Sequence, residues 1–314
     1  MKLAFVFPGQ GSQKVGMLAG FEGNDVVADV MRRADAALGQ DLTGLIANGP
    51  EADLNLTVNT QPAMLASSYA MYAAWLAVGG MKPVVMAGHS LGEYTALTAA
   101  GVFTLEQAVG LVRFRAQAMQ SAVPVGVGAM AAILGLTDEV VANVCREASE
   151  DGKYVVEPVN FNCPGQVVIA GHREGIEKAC EIAQKKGARR ALKLAVSAPF
   201  HSSLLVGAAK QLAERLAQID VMAPAIDVIA NVDVAVHHEP QDIRDILSRQ
   251  AASPVQWVKT IQKMAADGVT HIVECGPGKV LTGMIRRIAP EIKIYNIYDA
   301  QTLASVKDAL AAEG

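Results

Sequence analysis

Gly88-His89-Ser90-Leu91-Gly92 stands between an apolar run, Pro83 to Ala87, and a stretch of helical character, Tyr94 to Ala100. A serine with glycines two positions to either side marks a turn so sharp that neighbouring backbone leaves no room for side chains. Such a turn leaves a strand and enters a helix, so it commits the chain around it to α/β alternation. Other segments agree. Lys2 to Phe7 reads as a buried strand closed by Pro8-Gly9, Gln61-Pro62 opens an alanine-rich helix through Ala77, and Leu105 to Gln120 reads as another helix. The turn also exposes the Ser90 hydroxyl at the carboxyl edge of a sheet, beneath the amino terminus of the next helix. The free N–H groups and partial positive charge of that terminus suit a developing oxyanion.

The texture changes at Val125. Strand Gly128 to Leu134, a helix capped by Thr137-Asp138, strand Tyr154 to Asn160, a turn at Asn162-Cys163-Pro164-Gly165, strand Gln166 to Ala170, helix Glu174 to Lys186 and strand Ala191 to Val196 follow in order. The order βαββαβ is that of a split βαβ, or ferredoxin-like, unit. We therefore expect an α/β core with a parallel sheet, residues 1–124 and 198–314, interrupted by a small ferredoxin-like subdomain over 125–197. In the resumed core, helix Leu204 to Gln218, strand Ile226 to Ala230, helices Ile243 to Arg249 and Val255 to Ala266, strand Thr270 to Cys275, helix Val280 to Ile288 and strand Lys293 to Ile297 are expected.

Composition narrows the classes. The 27 Lys+Arg and 31 Asp+Glu give a net charge of −4, which carries no electrostatic footprint for nucleic acid. Four cysteines form neither a CxxC pair nor a Cys/His cluster, so neither a metal site nor a disulfide framework is expected. MKLAFVFPGQG is too short in apolar residues for a signal-peptide core, and the apolar stretch near Met64 to Met81 is broken by Ser67, Ser68 and Gly79-Gly80. A soluble protein of the reducing cytoplasm is the expectation, without a membrane partner.

A serine nucleophile needs a base. Among six histidines, His89 adjoins Ser90, where successive side chains diverge, and is expected to be structural. His172, His237, His238 and His271 lie in polar or turn contexts and are expected to be solvated. His201, in the loop where the chain re-enters the core, is the preferred base. No carboxylate between Ser90 and His201 sits in an obvious loop after a strand, so the acid of a triad is missing; Asp233 is one orienter the sequence offers. The glycines of Pro8-Gly9-Gln10-Gly11-Ser12-Gln13 fit neither phosphate-loop pattern, and an oxyanion loop is the better reading. Arg113 and Arg115 are two apart on one helix, so at most one turns toward the site. The densest basic clusters are Lys185-Lys186, Arg189-Arg190 and Arg286-Arg287.

These motifs carry a resemblance. Phe7-Pro8-Gly9-Gln10-Gly11-Ser12-Gln13, Gly88-His89-Ser90-Leu91-Gly92-Glu93-Tyr94, Asn160-Phe161-Asn162-Cys163-Pro164-Gly165-Gln166, Pro199-Phe200-His201-Ser202, Arg249-Gln250 before Pro254-Val255-Gln256-Trp257, and Gly276-Pro277-Gly278-Lys279 occur in order over nearly the whole length. Together they resemble the malonyl-CoA:acyl-carrier-protein transacylase family of bacterial type II fatty acid synthesis. The resemblance implies an α/β-hydrolase-like core with an inserted ferredoxin-like subdomain. It also implies ping-pong transfer of malonyl from malonyl-CoA through an ester on Ser90, with His201 as base and the N–H groups of Gln10 and Leu91 as oxyanion hole. The backbone carbonyl of Gln250 then orients His201, leaving Asp233 as the rival. Arg115 grips the malonyl carboxylate, and Phe200 goes with an unbranched acyl group. Arg189, Arg190, Arg286 and Arg287 form a basic rim for an acidic acyl carrier protein. No metal or redox cofactor is implied, malonyl-CoA being a substrate. A polyketide acyltransferase and a serine hydrolase or thioesterase are the alternative readings.

Overall fold

The computed structural model describes residues 1–196 and 198–313; Ser197, the last residue expected in the insertion, lies outside the described residues. Among the described residues nine strands form two sheets. They are β1 (Leu3–Phe7), β2 (Val85–Gly88), β3 (Gly128–Leu134), β4 (Val156–Cys163), β5 (Gln166–His172), β6 (Arg190–Lys193), β7 (Asp227–Ile229), β8 (His271–Cys275) and β9 (Lys293–Ile297). The larger sheet is parallel throughout, in the order β7-β2-β1-β8-β9. Its central strands β1 and β8 are buried at every residue, as parallel strands covered on both faces must be.

Side-chain alternation along β1 divides the core in two. Leu3, Phe5 and Phe7 face one layer, where Phe5 meets Tyr72 edge-on at 5.5 Å and Trp75 at 5.7 Å between ring centroids. Ala4 and Val6 face the other layer, built on Trp257, Ile261 and Ile285. The helix that supplies Tyr72 and Trp75 spans Thr57–Ala77, a turn earlier than the Gln61-Pro62 start read from the sequence. Pro62 is its sixth residue, and the bond its ring removes lies near the helix start.

The smaller sheet is antiparallel, in the order β4-β5-β3-β6, and β5 lies between β3 and β4. That arrangement is the split βαβ expected from the element order. Helices Asp138–Ala148 and Arg173–Lys185 cover one face through Ile133, Val144, Ile169 and Ile176. The opposite face turns Met130, Ala132 and Val168 toward the larger sheet. β4 runs on through Cys163, so Asn162 belongs to the strand rather than to the turn expected for it. β6 stops at Lys193, short of Val196: Leu194 N still donates to Met130 O at 2.9 Å, and Leu194, Ala195 and Val196 line a cleft. The smaller sheet is stitched to the core where Phe161 N donates to Val255 O at 3.1 Å and Val255 N donates to Val159 O at 2.8 Å, just ahead of helix Trp257–Ala266.

One histidine differs from its expected setting. His271 opens β8 and is buried, because a helix the sequence reading did not propose, Ala300–Glu313, packs across the sheet through Leu303, Val306 and Leu310. Its last residue brings Glu313 Oε2 to 2.8 Å from His271 Nε2.

Candidate active site

The cleft between the sheets encloses about 620 Å³ and opens beyond the carboxyl ends of β1 and β2. Counted in the larger sheet alone, the chain order of the strands is 3-2-1-4-5, and the reversal falls between β1 and β8. Ligands of open parallel sheets bind at such reversals, where loops diverge to opposite faces. The loop after β1, Gly9-Gln10-Gly11, and the turn after β2 both line the cleft.

Ser90 has φ 53° and ψ −108°, a backbone conformation that a residue with a side chain adopts only at a cost. Close packing holds it there. A Cβ on Gly88 would lie 1.8 Å from the carbonyl carbon of Gly92, and one on Gly92 would lie 2.1 Å from the oxygen of Phe7. Asn231, just beyond β7, braces the same turn: its Oδ1 accepts from Ser90 N at 2.7 Å and its Nδ2 donates to Gly88 O at 2.7 Å.

The Ser90 hydroxyl lies 2.6 Å from His201 Nε2. On the other side of the ring, His201 Nδ1 is 2.9 Å from the backbone oxygen of Gln250. A carbonyl only accepts, so the Nδ1 proton is fixed and Nε2 is left to accept from the serine. Burial and the neighbouring Arg115 charge push the His201 pKa down to about 3, which keeps Nε2 unprotonated near neutrality. Asp233, the rival orienter, is engaged elsewhere: its Oδ2 meets His237 Nε2 at 3.0 Å.

Arg115 comes from helix Leu105–Ser121 and is 2% exposed. Nη1 donates to Gln61 Oε1 at 2.8 Å; Nη2 donates to Gln250 Oε1 at 2.8 Å and to Ser90 Oγ at 3.2 Å. Tyr94 lies under the guanidinium, 5.2 Å from its carbon to the ring centroid. Among the described residues no carboxylate stands within ion-pairing distance, and the buried Nε has no partner. Burial lowers the Arg115 pKa, yet a guanidinium remains charged at physiological pH. Arg113 turns away to Gln40, so only one of the two helix arginines reaches the cleft.

Gln10 and Leu91 line the cleft, and among the described residues no acceptor takes the backbone N–H of either. Leu91 is the first residue of helix Leu91–Ala99, where an N–H has no partner within the helix. Phe200 is mostly buried and does two things, lining the cleft and packing into the main core. His89 Nε2 meets Asn162 Oδ1 at 2.8 Å, tying the turn to the small sheet, and burial lowers its pKa.

Several neighbours escaped the sequence reading. Glu93 is 1% exposed, and its Oε2 accepts from Gln250 Nε2 at 2.7 Å and from Asn231 N at 3.1 Å. Burial pushes its carboxyl up to about 7. The second Gln250 amide proton goes to Ser90 O at 2.9 Å. A charged residue inside an otherwise apolar helix, Leu91-Gly92-Glu93-Tyr94, was the available signal for Glu93; Asn231 gave none until β7 was known to neighbour β2.

Arg189, Arg190, Arg286 and Arg287 are all exposed, and none is ion-paired among the described residues. Arg287 donates to Pro164 O at the β4–β5 turn, while Arg189 packs on Gly135, whose N donates to Gly165 O at 2.8 Å. No cluster of His, Cys, Asp or Glu suited to a metal ion occurs among the described residues, and the four cysteines are free and buried. No helix among them is long and apolar enough to cross a membrane.

The comparisons with known proteins converge. The Acyl transferase domain family matches residues 4–306. The chain is 50% identical over 305 residues to the malonyl CoA-acyl carrier protein transacylase of Escherichia coli K12, covering 97% of this chain and 98% of the relative. It superposes with TM-score 0.96 on the acyl-carrier-protein S-malonyltransferase of Burkholderia pseudomallei 1710b, at 59% identity, over 98% of this chain and 100% of that one. The same score, at 44% identity and over 98% and 100% of the two chains, relates it to a malonyl-transacylase solved in complex with a type II PKS acyl-carrier protein. By its matched length, its strand order and the extent of these identities, the chain belongs to the malonyl CoA-acyl carrier protein transacylases of the acyl transferase family.

Proposed function

We propose that this enzyme moves malonyl from malonyl-CoA to the phosphopantetheine thiol of an acyl carrier protein, through a malonyl ester on Ser90, to supply fatty acid synthesis. The observation that carries the reading is the buried Arg115 cation, which among the described residues has no carboxylate within ion-pairing distance and lies 3.2 Å from the Ser90 hydroxyl. A buried cation without a carboxylate in direct contact is costly, since Glu93 acts on it only across the Gln250 amide, and a substrate carboxylate entering beside it relieves that cost. A neutral acyl group does not.

His201 Nε2 takes the proton of Ser90 Oγ as the oxygen attacks the thioester carbonyl. The N–H groups of Gln10 and Leu91 hold the oxyanion, and the Gln250 carbonyl stabilises the imidazolium through Nδ1–H. Collapse breaks the C–S bond, and the imidazolium returns its proton to the departing CoA thiolate. The carrier thiol then gives its proton to His201 and attacks the ester, and Ser90 leaves with that proton. Malonyl-CoA is a substrate, and the steps run through side chains, backbone N–H groups and the Gln250 carbonyl. Phe200 narrows the cleft beside His201, which favours an unbranched acyl group.

The catalytic groups belong to 1–124 and 198–314 in this reading, and 125–197 forms the second wall of the cleft. Arg189, Arg190, Arg286 and Arg287 form the rim that attracts an acidic carrier. Free, buried cysteines suit a cytoplasmic setting. Intact-mass measurement tests the whole: malonyl-CoA alone should leave a persistent adduct of ~86 Da on Ser90, the mass of a malonyl replacing hydrogen. Added carrier protein should discharge it. Prompt loss of the adduct to water without a carrier supports a hydrolase instead.

A further inference from the structure

The mechanism uses the Gln250 backbone but leaves the Gln250 side chain and Glu93 without a task. We infer that Glu93 is a positioning residue for acyl selectivity: its carboxyl oxygen fixes the orientation of the Gln250 amide, which in turn aims the Arg115 guanidinium at the site of the malonyl carboxylate. The inference rests on the carboxylate clamp proposed above for Arg115.

The Gln250 amide is spoken for at every position. Its two protons go to Ser90 O and Glu93 Oε2, and its oxygen accepts from Arg115 Nη2. If the amide were turned over, its oxygen would face two acceptors and its NH2 group would face the donor Nη2. Both arrangements are repulsive in a site without solvent. Glu93 supplies one of the two acceptors that exclude this flip, and it is itself fixed by Asn231 N. Arg115 otherwise donates to Gln61 Oε1 and to the reacting Ser90 Oγ, and the Tyr94 side chain lies against its guanidinium. Loss of a defined Gln250 oxygen therefore removes the acceptor that holds Nη2 beside the Ser90 hydroxyl.

Glu93 acts in this arrangement as an acceptor. With its carboxyl pushed up to about 7, it is partly neutral near physiological pH, so an uncharged acceptor of the same shape should serve nearly as well. A merely structural role gives no reason for malonyl and acetyl transfer to respond differently.

The test measures kcat/KM for malonyl-CoA and acetyl-CoA with the full-length enzyme and carrier protein. Glu93→Met, which removes the acceptor at similar volume, should lower the malonyl-to-acetyl ratio about tenfold or more, whereas Glu93→Gln should keep it within about threefold. Gln250→Met, which preserves the backbone carbonyl on His201, should lower the ratio to a similar degree. The double variant Glu93→Met/Gln250→Met should fall no further than either single one, since both act through one amide. An unchanged ratio in Glu93→Met, an equal fall in Glu93→Gln, or additive losses overturns the inference. If Glu93→Met does not fold, Gln250→Met decides, and an unchanged ratio there also overturns it. Arg115→Ala run in parallel separates the two claims. A collapsed ratio in Arg115→Ala beside an unchanged one in Glu93→Met rejects Glu93 alone, and an unchanged ratio in Arg115→Ala removes the clamp and this inference with it.

Discussion

Arg115 Nη2 donates to the same Ser90 oxygen that His201 Nε2 meets, at 3.2 Å against 2.6 Å for the imidazole. One hydroxyl is thus shared by a cation and a base. In the proposed mechanism that cation is also the group that receives the malonyl carboxylate.

Arg115→Ala tests that dual placement. Malonyl transfer should fall about 100-fold or more, because the lost contact is charge-assisted and sheltered from water. Acetyl transfer, which uses no carboxylate contact, should fall much less or rise. The ratio of the two kcat/KM values is the measurement, since it cancels general damage to the enzyme. A parallel fall for both substrates assigns Arg115 a structural role.

Ser90→Ala should abolish the ~86 Da adduct while leaving circular dichroism and melting temperature close to those of the parent. The turn is held by Gly88, Gly92 and Asn231 rather than by the hydroxyl, so little packing is lost. Malonylation of this variant at a single alternative residue would show the nucleophile to be elsewhere.

His201→Ala should slow acylation about 100-fold or more. The parent should show a particular pH dependence. A histidine of ordinary pKa, about 6.5, would be mostly protonated and useless as a base by pH 5.5. His201 is held down at about 3, so its neutral form persists as pH falls through that range. Release of CoA from acetyl-CoA, which has no acyl carboxylate to titrate, should therefore keep its kcat/KM from pH 7 to pH 5 as far as His201 governs it. Stopped-flow thiol detection reads this directly, and an acid limb centred near 6.5 that persists in Glu93→Gln contradicts it.

Charge reversal at Arg286, or at the Arg189-Arg190 pair, should raise KM for carrier protein severalfold while changing KM for malonyl-CoA less. The difference should shrink as salt is added, since exposed charges steer a partner over a distance that salt shortens. Equal effects on both substrates count against a rim selective for the carrier.

Much of this architecture could be read from the chain because its signals are local. The Gly88 to Gly92 turn, the βαββαβ order and the strand limits of β3 and β9 each follow from periodicity and turn residues within a short window. What could not be read depends on strand order. Asn231 reaches Ser90 only because β7 lies beside β2, and Glu93 meets Gln250 across a separation of 157 residues. His271 was misjudged for the same kind of reason, since its burial is imposed by the distant helix that ends at Glu313.

Ser90 and His201 lie 111 residues apart in the chain, with the whole smaller sheet threaded between them. A growing chain therefore makes its serine first, then an entire second lobe, and only afterwards the imidazole. Gln250, whose carbonyl meets that imidazole, comes later still, and β8, the central neighbour of β1, follows it. Until β8 is added, β1 lacks its partner on one side and the larger sheet cannot close over its core. A truncated or nascent chain thus holds Ser90 without the His201 and Gln250 contacts, which form only when late-synthesised segments return to the beginning.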